Sequence, residues 1–392
     1  MTESNRWLLP EGIEEILPPE AWRLEALRRR LLDTYRSWGY ELVVPPLIEY
    51  LDSLLTGTGN DLDLQTFKLI DQLSGRLLGV RADMTPQVAR IDTHELRCDH
   101  PSRLCYLAPV LRTRPDAFGG SRHPLQVGAE IYGHAGVESD LEILLLLLET
   151  LRITGVGNTW LDLGHVGIYR SLAREARLSG EQEALLFDAL QRKAHAEIEE
   201  ILSQADMPSD LRGMLARLAD LNGGEDMLAE ARQVLRGEEI HAALADLTEL
   251  AVKLRQRAPE VNLHFDLAEL RGYGYHTGIV FAAYAPGHGE ALAQGGRYDD
   301  IGRAFGSARP ATGFSADLKL LERLGGGASE VSPSGVFAPW SDEPEQAAAI
   351  ARLRAAGERV VQGLPGQQGD AADMGCDRRL VKRNGGWVVQ PL

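Results

Sequence analysis

Strand patterning stops near residue 166 and does not resume until residue 262, and this interruption constrains the fold more than any other feature of the chain. Between about 169 and 257, apolar residues recur at helical spacing, as over 181–203 and 240–257, with almost no alternation of the strand kind. Before the interruption, β-rich segments lie at 40–44 (stopped by Pro45 and Pro46), 67–70, 76–81, 103–110, 126–132 and 159–166. Ser74 and Gly75 make a hairpin of the second and third of these. After it, strands are expected at 262–267, 279–284 and 291–293, followed by a glycine-rich turn. Helices are expected at 20–38, ending at Gly39, at 140–150 and at 315–324. The expectation is an α+β domain with a mainly antiparallel sheet flanked by helices, built from residues 1–168 and 258–324, with a helical insertion at 169–257. Residues 325–334 read as a linker, and 325–392 as a small α/β domain: strand, helix, strand, then a hairpin through Asn384 and Gly385.

Bulk properties narrow the function classes. Net charge is -16, from 41 basic and 57 acidic residues, which weighs against a large phosphate-binding surface. Cys98, Cys105 and Cys376 are widely spaced with no CxxC pair, so reduced thiols are expected rather than a metal site or a disulfide framework. No basic stretch followed by an apolar run opens the chain, and the apolar run at 144–148 is far too short for a bilayer. A cytoplasmic, non-membrane protein is expected.

Five clusters carry possible chemistry. In Arg81-Ala82-Asp83-Met84-Thr85-Pro86, a carboxylate and a hydroxyl two residues apart at a strand end would share a side and can hold an ammonium; the same residues also read as a helix cap. Arg112, after a strand, can clamp an anion or simply sit on the surface. Gln126, Gly128 and Glu130 share one strand face, either as a cleft floor or as a solvent-facing edge. The loop from Arg271 through Tyr273, Gly274, Tyr275, His276 and Thr277 to Gly278 is too rich in glycine and aromatics for a plain connection. Gly295-Gly296-Arg297-Tyr298-Asp299 suggests phosphate binding but lacks the spacing of a nucleotide loop.

In this order the clusters resemble the histidyl-tRNA synthetase catalytic domain over about residues 7–324. The Pro45-Pro46 strand end resembles the class II motif that builds the dimer interface; Arg112 matches the arginine of the second motif, and 295–299 with Gly313 and Phe314 the approach to the third. The resemblance implies that Asp83 and Thr85 hold an α-amino group, that Arg112 and Arg271 meet carboxylate charge, that Gln126 and Glu130 line the floor, and that Tyr275 and Tyr298 contact an imidazole ring. Gly274 and His276 depart from the histidine-specific pattern, which has Asp and Tyr there.

The ATP side departs further. Arg114 stands where the family has a glutamate for the adenine amino group, Pro124 where a phenylalanine stacks on adenine, and Leu320 where an arginine clamps phosphate; Arg323 follows three residues later. Losing one preorganised donor costs on the order of 3 kcal/mol of transition-state stabilisation. Only a shortened tail follows, in place of an anticodon-binding domain. A synthetase-like chain with a histidine pocket, a broken ATP site and a trimmed tail resembles the regulatory subunits of ATP phosphoribosyltransferase. That resemblance implies a non-catalytic subunit with no cofactor and no tRNA, a class II homodimer assembled with the catalytic short-form subunit, and L-histidine as inhibitory effector of the first step of histidine biosynthesis. The alternatives are a divergent histidyl-tRNA synthetase, which Arg114, Pro124 and Leu320 oppose, and a free-standing amino-acid-binding protein.

Overall fold

Leu24, Leu31 and Tyr35 fall on one stripe of the first helix, α1 (Glu20–Ser37), and are its buried residues; the chain leaves the helix through Gly39 at φ 85°, a conformation that a side chain opposes. The computed structural model describes residues 7–57, 60–115, 120–270, 272–306, 308–326 and 334–392, in two compact units, 1–326 and 327–392. The strands of the first unit are β1 (Glu41–Leu42), β2 (Ile48–Tyr50), β3 (Phe67–Ile70), β4 (Leu77–Val80), β5 (Ser102–Pro109), β6 (Leu125–Tyr132), β7 (Trp160–His165), β8 (Asn222–Gly223), β9 (Asn262–Asp266), β10 (Ile279–Tyr284), β11 (Ala293–Arg297) and β12 (Ala311–Asp317). Nine of them form one sheet in the order β1-β5-β6-β12-β11-β10-β7-β9-β8. Only β1/β5 and β7/β9 are parallel pairs in it. β2, β4 and β3 make a separate antiparallel sheet, whose β2 the sequence reading did not anticipate.

Besides α1, the α-helices among the described residues of this unit are α2 (Leu51–Leu54), α3 (Asn60–Gln65), α4 (Thr85–Arg90), α5 (Val137–Thr154), α6 (Val166–Ala176), α7 (Gly180–Gln191), α8 (His195–Gln204), α9 (Ser209–Arg217), α10 (Asp226–Val234), α11 (Glu238–Arg257) and α12 (Leu318–Leu324), with a π-helical turn at Ile91–Leu96 and a 3-10 turn at Ile301–Phe305. Leucines of α5 (Leu144, Leu147), of the helical stretch (Leu190, Leu215, Leu247) and of the sheet (Leu161, Leu163) join one buried apolar cluster. None of the helices among the described residues is long and apolar enough to cross a membrane.

The structure corrects three local expectations. The helix expected over 181–203 is broken: Lys193 takes φ 52°, and the Ala194 N–H donates back to the Ala189 carbonyl at 2.9 Å, which closes α7 before α8 begins. Apolar spacing carries through such a turn, so periodicity alone does not reveal it. The expected turn at 295–299 is largely strand, because β11 runs through both glycines. A Cβ on Gly295 would sit 2.1 Å from the Gly313 carbonyl oxygen, and one on Gly296 2.6 Å from that of Ile279, so glycine here marks close backbone approach rather than a bend. Residues 315–317, expected to begin a helix, finish β12, and Asp317 caps α12 by accepting from the Lys319 N–H at 3.1 Å.

The second unit contains β13 (Val336–Ala338), α13 (Pro344–Ala355), β14 (Val360–Gln362), β15 (Arg378–Arg383) and β16 (Gly386–Pro391), in sheet order β14-β13-β15-β16. The hairpin turns at Asn384 and Gly385, both at positive φ. Most of the expected linker, 327–333, lies outside the described residues.

Candidate functional site

Alternation along β6 and β12 builds the floor of the site. Gln126, Gly128 and Glu130 share a face, and antiparallel pairing sets them opposite Asp317, Ser315 and Gly313. On the other side of β6, Tyr106 pairs with Gly128, whose missing side chain leaves room for the phenol: a Cβ there would meet the Tyr106 hydroxyl at 2.5 Å. Gly313 acts in the same way, since its Cβ would lie 2.5 Å from the Tyr298 hydroxyl and 2.7 Å from Glu130 Cγ.

Asp83 and Thr85 stand not on a strand but at the entry to α4, since β4 ends at Val80. Asp83 Oδ1 accepts from the Thr85 N–H at 3.1 Å and from Gln126 Nε2 at 2.9 Å, while Gln126 Oε1 accepts from the Met84 N–H at 3.0 Å. Met84, not Asp83, is the N-cap of α4, so Asp83 holds the turn just before the helix rather than capping it. One buried amide, Gln126, ties the helix entry to the floor. The Thr85 and Tyr106 hydroxyls are 3.5 Å apart.

Glu130 is only 1% exposed. Its Oε2 accepts from the Tyr132 hydroxyl, and its Oε1 has no hydrogen-bond partner. Burial, reinforced by the nearby Asp83 charge, pushes the carboxyl up to about 8, against the lowering effect of the hydroxyls of Tyr132, Thr85 and Tyr106. The buried Tyr298 hydroxyl is likewise without a partner. Burial and the Glu130 charge raise the Tyr298 phenol well above its usual range. The Tyr275 ring lies tilted at 38° against His276 with centroids 4.1 Å apart, and 6.4 Å from the Tyr298 ring. Tyr275 is 40% exposed as a residue; burial around its hydroxyl first, then the charges of Asp83 and Glu130, raise its pKa. Unpartnered polar atoms buried together are costly unless something binds there. Arg271 lies outside the described residues.

Beside this pocket opens a cavity of about 650 Å³, whose lining includes Arg112, Pro124, Gln126, Ser315, Leu320 and Arg323. Arg112 Nε donates to the Ala82 carbonyl at 3.2 Å. Burial lowers the Arg112 pKa, and the charges of Asp83 and Asp317 oppose that shift. Leu320 projects from α12, and Arg323, one turn on, is bound to Glu14 at 3.0 Å. Arg114 is exposed and takes no part in the lining. Thus Arg112, Pro124, Gln126 and Leu320 come together around this cavity, while Asp83, Thr85, Gln126, Glu130, Tyr275 and Tyr298 lie near one another, linked by hydrogen bonds and by their charges.

Arg297 belongs to neither. As the strand alternates, its guanidinium is buried on Asp140, with Nη2–Oδ2 2.7 Å, and on Ser139 Oγ at 2.8 Å, which removes it as a phosphate ligand. The sequence reading missed Tyr106 and Tyr132, and named Arg81 in its first cluster without a role. Arg81 is 3% exposed and donates to the carbonyls of Pro45 at 2.6 Å and Pro109 at 2.9 Å, so it fixes the Pro45-Pro46 strand end against β5. Strand alternation signals Tyr106 and Tyr132 only once the β5–β6 register is known.

The family model described as Histidyl-tRNA synthetase matches residues 12–321, and the one described as ATP phosphoribosyltransferase subunit HisZ C-terminal domain matches 333–390. The chain is 63% identical to the ATP phosphoribosyltransferase regulatory subunit of Thioalkalivibrio sulfidiphilus, with 100% of each chain covered. It is 60% identical to that of Alkalilimnicola ehrlichii, covering 100% of this chain and 98% of the relative. Among solved structures, an ATP phosphoribosyltransferase regulatory subunit/histidyl-tRNA synthetase from Bacillus halodurans superposes with a TM-score of 0.84 at 28% identity, over 95% of this chain and 97% of the other. A histidyl-tRNA synthetase from Nostoc sp. PCC 7120 shares the fold, with a TM-score of 0.77 at 19% identity, over 96% and 91%.

Proposed function

The chain belongs to the family of ATP phosphoribosyltransferase regulatory subunits, and from that membership we propose that it is the non-catalytic partner of a short-form ATP phosphoribosyltransferase in the first step of L-histidine biosynthesis. The observation that carries this reading is the contrast between two adjoining subsites. The amino-acid pocket keeps buried, unpartnered polar groups at Glu130 and Tyr298. The neighbouring cavity presents Leu320 where phosphate would need a cation, and its Arg323 is held by Glu14.

L-Histidine is the ligand we assign to the pocket. Asp83 and Thr85 take the ammonium, Arg112 and Arg271 the carboxylate, and Gln126, Glu130, Tyr275 and Tyr298 the ring side. Feedback then requires that histidine bind the inactive state of the complex more tightly than the active one. The reading includes a homodimer through the Pro45-Pro46 strand end, where Val44 is 78%, Leu47 47% and Ile48 47% exposed. It also includes a cytoplasmic location and no role for tRNA.

Light scattering after gel filtration, with short-form catalytic subunit from the same source, tests the assembly: a mixed oligomer is expected, and separate elution at micromolar concentrations counts against it. Calorimetry tests the pocket. Asp83→Ala removes a charge-assisted contact worth about 1.5–3 kcal/mol, so histidine affinity should fall roughly tenfold or more. Unchanged affinity would move histidine elsewhere.

A further inference from the structure

Resting on the pocket reading above, we propose that the turn at 272–276 couples the pocket to the helical insertion: Arg170 and Tyr273 are positioning residues that hold this turn from α6 and α7, so that filling the pocket steadies α7. Gly272, at φ 65°, folds the turn onto itself, and the N–H groups of Tyr275 and His276 both donate to the Gly272 carbonyl, at 2.9 and 2.8 Å. Two tyrosines two residues apart then leave it toward different elements. Tyr275 lies 6.4 Å from the Tyr298 ring and feels the charges of Asp83 and Glu130. Tyr273 instead meets the helices. Its ring stands edge-on to Tyr169 of α6 at 5.2 Å and lies 5.5 Å from Phe187 of α7, and its hydroxyl donates to Glu183 Oε1 at 2.8 Å.

Arg170 closes the clamp from α6. Its Nη2 donates to the carbonyls of Tyr273 at 2.9 Å and His276 at 2.8 Å, one on each limb of the turn, and its guanidinium lies 5.1 Å from the centroid of the Tyr273 ring. The Tyr169 hydroxyl donates to the Glu183 carbonyl at 3.2 Å, so the start of α7 is held by two phenols, one from α6 and one from the pocket turn. On the other side of the turn is a cavity of about 40 Å³, with Gly272, Tyr275, His276 and Gly295 in its lining, which leaves the turn room to settle. Apolar packing alone would tolerate such settling. The bonds from Arg170 and to Glu183 are directional and weaken steeply when a donor moves by about an ångström. A ligand that draws Tyr275 toward the pocket floor therefore changes the grip of Tyr273 on α7 through a continuous set of contacts.

The test is amide hydrogen exchange of the full chain with and without saturating L-histidine, read by mass spectrometry in α7 with α10 as internal reference. In the parent, histidine should slow exchange in α7 roughly tenfold relative to α10, the scale of one hydrogen bond to a charged group. Tyr273→Phe keeps the ring packing and loses the bond to Glu183, so histidine should still bind while its effect on α7 disappears. Arg170→Gln frees both limbs of the turn, and histidine affinity should fall roughly tenfold. A clamp that served the fold alone would speed α7 exchange equally with and without histidine. Histidine binding that leaves α7 exchange unchanged in the parent overturns the inference while leaving the pocket reading intact. So does a Tyr273→Phe protein that keeps the full histidine effect on α7, or an Arg170→Gln protein with the parent's affinity. Absence of histidine binding, or binding indifferent to Asp83→Ala, overturns the pocket reading and this inference with it. The parent comparison is made on the unmodified chain, so it stands even if Arg170→Gln fails to fold.

Discussion

Replacing Gly313 with alanine probes the pocket through its tightest packing. The added Cβ would lie 2.5 Å from the Tyr298 hydroxyl, 2.7 Å from Glu130 Cγ and 2.8 Å from the Ala129 carbonyl oxygen. Two of these neighbours are the pocket's own side chains and the third is backbone in the adjacent strand, so the strain cannot be relieved by turning one exposed side chain. Overpacking of this kind costs about 1–3 kcal/mol. For a unit of this size each kcal/mol lowers Tm by roughly 2–4 °C. Histidine affinity should fall more than about tenfold, because Tyr298 and Glu130 must move apart from their present positions. Gly157→Ala is the control, since a Cβ there meets nothing within 4 Å. Scanning calorimetry and histidine titration of the two variants make the comparison. If Gly313→Ala behaves like Gly157→Ala in both, the close approach around Gly313 is wrong and the pocket geometry fails with it.

Other consequences follow from the same structure. Arg297→Ala leaves Asp140 as a buried carboxylate without its cation, and urea denaturation should show a loss of about 3–5 kcal/mol. Glu130 holds its proton to about pH 8 when folded, against an ordinary value of 4.5. The folded state therefore binds more protons between those values, and stability is lost as pH rises through that window. Glu130→Gln removes this slope, so the variant should gain on the parent between pH 5 and 9 by on the order of a few kcal/mol, read from denaturation midpoints at each pH. Histidine-dependent ATP–pyrophosphate exchange should be absent, because Leu320 offers phosphate no charge; its detection would restore the synthetase reading.

Much of the architecture was legible because strand alternation and helical spacing are local signals, and Phe67–Ile70, Leu125–Tyr132 and Ile279–Tyr284 lie within a residue or so of where those signals put them. What was illegible depended on neighbours distant in sequence. Gly295 and Gly296 read as a turn, because nothing local reveals that Gly313 and Ile279 press on them from adjacent strands. The 295–299 segment hinted at phosphate binding without the spacing for it, and the register shows why Arg297 does not serve it: it is turned onto Asp140. In the site, residues carried by a motif (Asp83, Gln126, Glu130, Tyr298) could be nominated from sequence. Tyr106 and Tyr132 could not, nor could the role of Arg81, since each matters through a partner that only the folded sheet supplies.

The central claim is regulation of a catalytic partner, and a mixing assay tests it most directly. Short-form ATP phosphoribosyltransferase from the same source is assayed for phosphoribosyl-ATP formation alone, with this chain, and with this chain plus L-histidine. The account predicts that activity rises on mixing and falls when histidine is added. A catalytic subunit whose rate is unchanged by this chain, with or without histidine, would contradict it.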